Sequence, residues 1–322
     1  MRKTTKIWLI MATSLVLIGC IVFGGAMTVF KWDFMKLQTA KYETNDYDIN
    51  ENYEDVLIVT DTADIVFTPS ENEKHSVICY EHKNAKHSVL VKDGTLVIEV
   101  ADTRKWYEHF GITFSKPKVS VYIPQGEYGS LSIKSSTGNI EIPKEFKFES
   151  MDISESTGNV TINAAVSDAA KIKTSTGNIC IENVSAGSLE LSVSTGRIMI
   201  SNAMCEGDAN ISVSTGKSYL TDMECKNLTS SGSTGDIFLN NVIVTEKLSV
   251  KRSTGDVRFD GSDAAEILIE TDTGDVEGSL LTDKVFIAHT STGRVDIPKT
   301  VVGGKCEIST NTGDIKLKID VI

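Results

Sequence analysis

The residues able to do chemistry are few. Five histidines, His75, His82, His87, His109 and His289, and six cysteines are the candidates for metal binding or nucleophilic attack. Zinc needs three or four convergent ligands. The chain has neither a Cys-x-x-Cys pair nor a His-Glu-x-x-His motif. The histidines are therefore expected at the surface, and no metal or cofactor is expected. Cys205 and Cys225 each stand nine residues after a recurring glycine. That spacing would stack them within disulfide range, although two reduced thiols in a connector fit it equally well. Leu17-Ile18-Gly19-Cys20 resembles a bacterial lipobox, which would make Cys20 a lipidation site.

Among the acids, Asp236, Asp256 and Asp275 recur at one position of a repeat. Stacked about 5 Å apart they would repel. A bound cation would relieve that, and so would side chains splayed into water between Lys217 and Arg294. Asp272 and Asp275 with Glu270 could be assembled into the paired carboxylates of a glycosidase. They lie in a repeated turn that coil structure already explains, and no repeat breaks pattern as a catalytic site would. The serines are repeat serines too, so no enzyme is expected. One stretch is not repeat-like: Arg104-Lys105-Trp106-Tyr107-Glu108-His109-Phe110-Gly111. Trp106, Tyr107, His109 and Phe110 are the candidate ligand contact, because aromatic loops stack on sugars and anchor protein contacts. The reading that weighs more is that they plug the solenoid's end, since large aromatics usually bury themselves.

The frame that must position these residues is a short phrase, Thr-Gly, usually after Ser and before Asn, Asp, Arg or Lys. It occurs as Thr137-Gly138, Thr157-Gly158, Thr176-Gly177, Thr195-Gly196, Thr215-Gly216, Thr234-Gly235, Thr254-Gly255, Thr273-Gly274, Thr292-Gly293 and Thr312-Gly313, always 19 or 20 residues apart. A fixed period of that size marks stacked repeats. Two and four residues after each glycine, and five before it, stand mostly Ile, Val or Leu, with polar residues between. Period-two alternation rich in β-branched residues argues for strands, and glycine followed by Asn or Asp suits a tight turn. The pattern predicts an all-β chain, a parallel β-solenoid (β-helix) of about ten 19–20-residue coils over residues 131–322, with the threonines stacked along one corner. Aromatic content of only 7% suits its thin core.

Ahead of the ladder, Val56–Phe67 repeats the pattern with Ala63 in the glycine's place. Strands are expected at Ser76–Tyr80, from Ser88 to Val100 turning at Asp93-Gly94, and at Lys118–Ile123. Residues 55–130 thus read as a β-rich module capping the open end of the stack. At the other end, Lys316, Lys318 and Asp320 alternate with apolar residues and are expected to guard an exposed edge. Residues 7–30 are uncharged and long enough to span a bilayer, with Trp32 at the interface. Residues 1–6 are expected as a cytoplasmic tail, 7–30 as an uncleaved signal anchor, and 31–54 as a spacer. Gly24-Gly25-Ala26 offers a cleavage site as an alternative. Each reading places the bulk of the chain outside the cytoplasm, at the cell membrane. The net charge is −12, and the first 32 residues contain no acid. The body is therefore acidic, which argues against nucleic acid as partner.

The ladder, the opening Asp61-Thr62-Ala63-Asp64-Ile65, Trp106-Tyr107 and Val119-Ser120-Val121-Tyr122-Ile123-Pro124 together resemble a bacterial repeat family named putative adhesins. The resemblance covers about residues 48–322. It implies a cell-envelope β-solenoid, sometimes encoded beside envelope-stress regulators. A surface binding or adhesion module for a glycan or protein is expected, with an envelope-stress scaffold as the alternative. No catalytic residues are implied.

Overall fold

The computed structural model describes residues 3–33, 41–104 and 115–320. Helix α1 (Lys3–Val29) opens the chain, and the regular structure described after it is strand. Ile7, Trp8, Leu15, Ile21 and Phe23 are all exposed on it, so the helix is apolar on every side. Thr13 and Thr28 donate their hydroxyl protons to the Leu9 and Gly25 carbonyls, so neither hydroxyl requires water. By length and composition α1 fits either a membrane anchor or a signal sequence.

The N-terminal strands are β1 (Tyr42–Ile49), β2 (Asp55–Val59), β3 (Asp64–Pro69), β4 (His75–His82), β5 (Ala85–Lys92), β6 (Thr95–Asp102) and β7 (Lys118–Ile123). The ladder follows as β8 (Gly126–Thr137), β9 (Ile140–Ile142), β10 (Phe146–Thr157), β11 (Val160–Ile162) and the long β12 (Ala165–Thr234). It continues through β13 (Ile237–Thr254), β14 (Val257–Thr273), β15 (Val276–Leu280), β16 (Lys284–Thr292), β17 (Val295–Asp296), β18 (Gly304–Thr312) and β19 (Ile315–Ile319). Alternation sets which side chains turn inward: in β10, Met151, Ile153 and Glu155 are buried while Asp152 and Ser154 are exposed. Coils pair parallel with like on like, as in Ile133↔Ile153, Ile153↔Ile172 and Ile269↔Ile308. One continuous apolar core of such columns runs through the solenoid.

Val56–Phe67 is a coil, as its pattern predicts. Val56, Ile58 and Ile65 lie in register with Leu131, Ile133 and Ile140. The stacking order nevertheless departs from chain order at both ends. The β2–β3 coil lies between β8–β9 and the β6–β7 coil. At the far end β18 and β19 insert between β14–β15 and β16–β17. This corrects the expectation that Ile315–Ile322 forms the outer edge, because β19 is paired on both sides. The repeat pattern says which residues stack but is nearly the same in every coil, so it does not encode their order. The step back is made by residues 297–303, where the Thr300 hydroxyl binds the Lys284 carbonyl.

A second correction concerns the spacer over 31–54. Within it, β1 pairs antiparallel with β4 from Tyr42↔His82 to Ile49↔His75. Its acids and asparagine lower intrinsic strand propensity. The strand is held instead by its partner and by Tyr47, whose hydroxyl donates to the His87 carbonyl at 2.9 Å. Beyond the β6–β7 coil, β4 runs antiparallel to β7 and β5 antiparallel to β6. The N-terminal end is thereby covered by strands that do not belong to the coil pattern.

Candidate functional site

The corner bearing the Thr-Gly turns repeats from coil to coil. Thr137, Thr157 and Thr176 lie in register, as do Thr254, Thr273 and Thr312, giving the predicted hydroxyl column. The turns stack closely enough to require glycine. At Gly196 φ is +147°, and a Cβ there would stand 1.7 Å from the Gly177 carbonyl oxygen.

The residue after each glycine links neighbouring coils. Asn139 Oδ1 accepts the Asn159 backbone N–H, and Asn159 Oδ1 accepts that of Asn178. Asp236, Asp256 and Asp275 accept in the same way from Asp256, Asp275 and Asp314. Each of these carboxylates therefore already has a structural bond. Lys217 adds an ion pair to Asp236 at 2.8 Å, and Arg258 one to Asp256 at 3.2 Å. Hydrogen bonding and Lys217 hold the Asp236 carboxyl below its ordinary range, although burial opposes them as the largest single influence. Glu270 pairs with Lys251, and Asp272 accepts from Asn311, so these acids do not converge on a common point.

Just inside the corner runs a buried polar column that the sequence reading missed. It contains Ser135, Glu155, Thr174, Arg252, Thr271 and Thr310, each three residues before a ladder glycine. Arg252 is 3% exposed, and burial pulls its guanidinium down to about 10. Its Nη2 donates to Ser230 Oγ at 2.9 Å and lies 3.5 Å from Ser218 Oγ. Its Nη1 fills the space that a Cβ on Gly232 would take. Ser218, Ser230 and Gly232 are the signal that could have found it, since three departures from the repeat all make room for one side chain.

One concave feature lies where the corner meets the cap. In the β6–β7 coil the tight turn is replaced by residues 103–117, whose described ends, Arg104 and Ser115–Pro117, wall a cavity of about 430 Å³. Its floor is Thr60–Asp64, stacked on the first ladder turn through Ala63 N–H to Thr137 O and Thr137 N–H to Asp61 O. The sequence-predicted contact residues Trp106, Tyr107, His109 and Phe110 lie outside the described residues, in the same insertion.

One wall is a relay of buried polar groups. Thr60 Oγ1 lies 3.0 Å from His87 Nε2, and His87 Nδ1 lies 2.6 Å from Glu81 Oε2. Glu81 also accepts the His87 backbone N–H and, at its other oxygen, Asn45 Nδ2, each at 2.6 Å. Glu81 is 1% and His87 5% exposed. This corrects the expectation of surface histidines for His87, which the cap buries and Glu81 satisfies. His75 is half-buried against the Tyr53 hydroxyl, whereas His289 is exposed. Cys79 Sγ, a Glu81 oxygen and a His87 nitrogen lie within 4.8 Å of one another. Burial, reinforced by Glu81, pushes the Cys79 thiol up to about 12, and Cys79 does not line the cavity. Both His87 nitrogens are already engaged, so the set reads as a network fixing β1, β2, β4 and β5 together. Cys205 and Cys225 are buried free thiols, and Cys20 is an exposed free thiol on α1.

Among solved structures the chain is similar to a protein from Bacteroides fragilis named a putative adhesin, at 16% identity over 86% of this chain and 97% of that one, with a TM-score of 0.45. It is also similar to putative adhesins from Parabacteroides distasonis (15% identity, 87% and 98% of the two chains, TM-score 0.48) and Parabacteroides merdae (14%, 87% and 98%, 0.47). No curated protein sequence matches it. A family model does match, over residues 53–216 and 204–321. That span takes in the ladder and every N-terminal strand except β1, and the chain belongs to the Toastrack DUF4097 family.

Proposed function

We propose that the chain is a membrane-anchored, extracytoplasmic binding module of the adhesin kind, and that it binds rather than catalyses. The observation that carries this reading is the cavity at the cap–ladder corner, beside the long connection between β6 and β7. Its wall mixes acceptors and donors, Asp61, Thr60, Asn139, Arg104 and Lys116, beside the Tyr42 ring. A small concave site with converging polar groups and an aromatic ring suits a hydroxyl-rich ligand such as one unit of a glycan better than a flat protein surface. Anchorage by α1 would hold the site at the outer face of the membrane.

The test uses the full chain in lipid nanodiscs, incubated with the bacterium's isolated cell wall and, separately, with host matrix proteins and mucin. Saturable co-sedimentation that Trp106→Ala and Arg104→Ala both weaken is the expected result. Binding to wall alone would make the ligand an envelope glycan, and binding to host material would make the protein a host adhesin. Binding that neither substitution changes would remove the cavity from the account. No binding to either material would favour a scaffold that acts through a membrane partner, as in envelope-stress systems.

A further inference from the structure

The two ends of the solenoid are closed unequally. At the N-terminal end the outer coil is overlaid by β4 and β5, and the outlying strands carry charge: Glu43, Asp46 and Asp48 on β1, Lys86 and Lys92 on β5. Charge on outlying strands discourages pairing with another chain. At the C-terminal end β16 pairs β18 from Lys284↔Gly304 to Thr292↔Thr312, and among the described residues no strand pairs its other side. The end of the core is therefore uncovered. Phe286 and Ala288 are half-buried, whereas Cys306 and Ile308, which they stack on, are 0% and 1% exposed.

This edge also lacks the usual protection. No Asp, Glu, Lys or Arg occurs from Val285 to Gly293. The strand's one lysine, Lys284, is 3% exposed and turned inward to Asp263 at 2.5 Å. Val285, Ile287, Val295, Val301 and Val302 are exposed at 38%, 51%, 44%, 88% and 61%. An uncharged edge strand with apolar neighbours is a template for a further strand.

The flanking charges select the occupant. Asp283 precedes β16 and Arg294 follows it, both exposed. A second β16 running antiparallel about a two-fold axis sets Asp283 of each copy beside Arg294 of the other, while a strand running parallel sets like beside like. We propose that β16 is a self-association edge, on which two copies of this chain pair antiparallel and close each other's core as a two-fold dimer.

Sedimentation of the full chain in detergent micelles tests this. The protein mass should be twice the 35.0 kDa of one chain. Ile287→Lys should give a monomer with an unchanged circular dichroism spectrum. Asp283→Arg or Arg294→Asp alone should weaken the dimer about tenfold, since each reversal introduces two like-charge contacts, and the double reversal should restore it. If Ile287→Lys disturbs the fold, the charge-reversal cycle decides by itself. A monomer at all concentrations, a mass beyond the dimer, or association that the reversals leave unchanged, as α1 alone would produce, overturns the proposal.

Discussion

Replacing Gly196 by alanine tests whether the close stacking of turns sets the stability of the ladder. The new Cβ would meet the Gly177 carbonyl oxygen at 1.7 Å, its carbon at 2.7 Å and Val193 Cγ1 at 3.3 Å, at a backbone φ of +147°. The first two contacts are with backbone, which cannot rotate aside as a side chain would. An L-residue held at such a φ costs about 1–3 kcal/mol. Moving two coils apart far enough to admit the methyl sacrifices inter-coil hydrogen bonds, each worth about 0.5–1.5 kcal/mol net. With two bonds lost, the expected destabilisation is about 2–6 kcal/mol. Gly126→Ala is the matched control, because nothing lies within 4 Å of its Cβ and its φ lies outside the left-handed range. Its effect should stay within about 0.5 kcal/mol. Gly94→Ala, at φ +78° in open space, isolates the conformational part. Repeat stacks open locally, so native-state hydrogen exchange in the coils on either side of Gly196 is the sharper assay, with urea unfolding beside it. If Gly196→Ala exchanges and unfolds like Gly126→Ala, the argument that turn stacking demands glycine is wrong.

Asp256→Ala should cost about 1 kcal/mol by leaving the Asp275 N–H without its acceptor, while Asp256→Asn keeps that acceptor and should cost less; urea denaturation separates the two. Because Lys217 and Arg258 already attend this column, millimolar calcium should leave the unfolding midpoint unchanged, and a rise abolished by Asp256→Asn would show a cation site instead. Burial raises the Glu155 carboxyl above its ordinary value, against the opposing hydrogen bonds from Ser135 and the Thr157 and Ser156 backbone. A raised carboxyl favours the fold fully below the unfolded pKa, near 4.3, and that contribution is lost as pH rises through the folded value. Glu155→Gln should therefore stabilise the chain by about 1 kcal/mol at pH 7, with the gain vanishing in acid; an equal effect at both pH values would refute the burial argument. Burial pushes the thiols of Cys79, Cys225 and Cys306 up to about 12. Iodoacetamide at pH 8 should spare all three until the chain unfolds, and intact mass without reductant should match that of the reduced chain if Cys205 and Cys225 stay unbridged.

The ladder was legible because three independent constraints fall on the same residues. The corner needs a glycine where a Cβ would strike the neighbouring turn, an Asn or Asp to receive the next coil's N–H, and β-branched residues at every second position to fill a narrow core. Most coils repeat all three, with Arg197, Lys217 and Arg294 as departures at the second, so even a degenerate copy such as Val56–Phe67, with Ala63 for the glycine, could be recognised. What stayed hidden is what the repeat cannot encode. The order of coils at the two ends depends on residues 297–303 and on the chain around β2, not on the pattern. The strand β1 has little propensity of its own and exists because β4 is there to pair with it.

The candidate site was hidden for a related reason. His87, Glu81, Thr60 and Asn45 are scattered over the sequence with no informative spacing, and antiparallel cap strands bring them together. The Trp106 segment breaks the pattern in the sequence, and the described ends of that insertion, Arg104 and Ser115–Pro117, stand at the wall of the cavity. Departures from the repeat were thus the better guide to individual residues. Ser218, Ser230 and Gly232 depart to house Arg252, and the turn of the β6–β7 coil departs to open a pocket. The uncharged run from Val285 to Gly293 departs from the charge carried by the chain's other outlying strands. The first makes room inside the fold. The other two leave surface that the fold alone does not use, and in a chain otherwise built by repetition those are the places where a ligand and a second copy would be recognised.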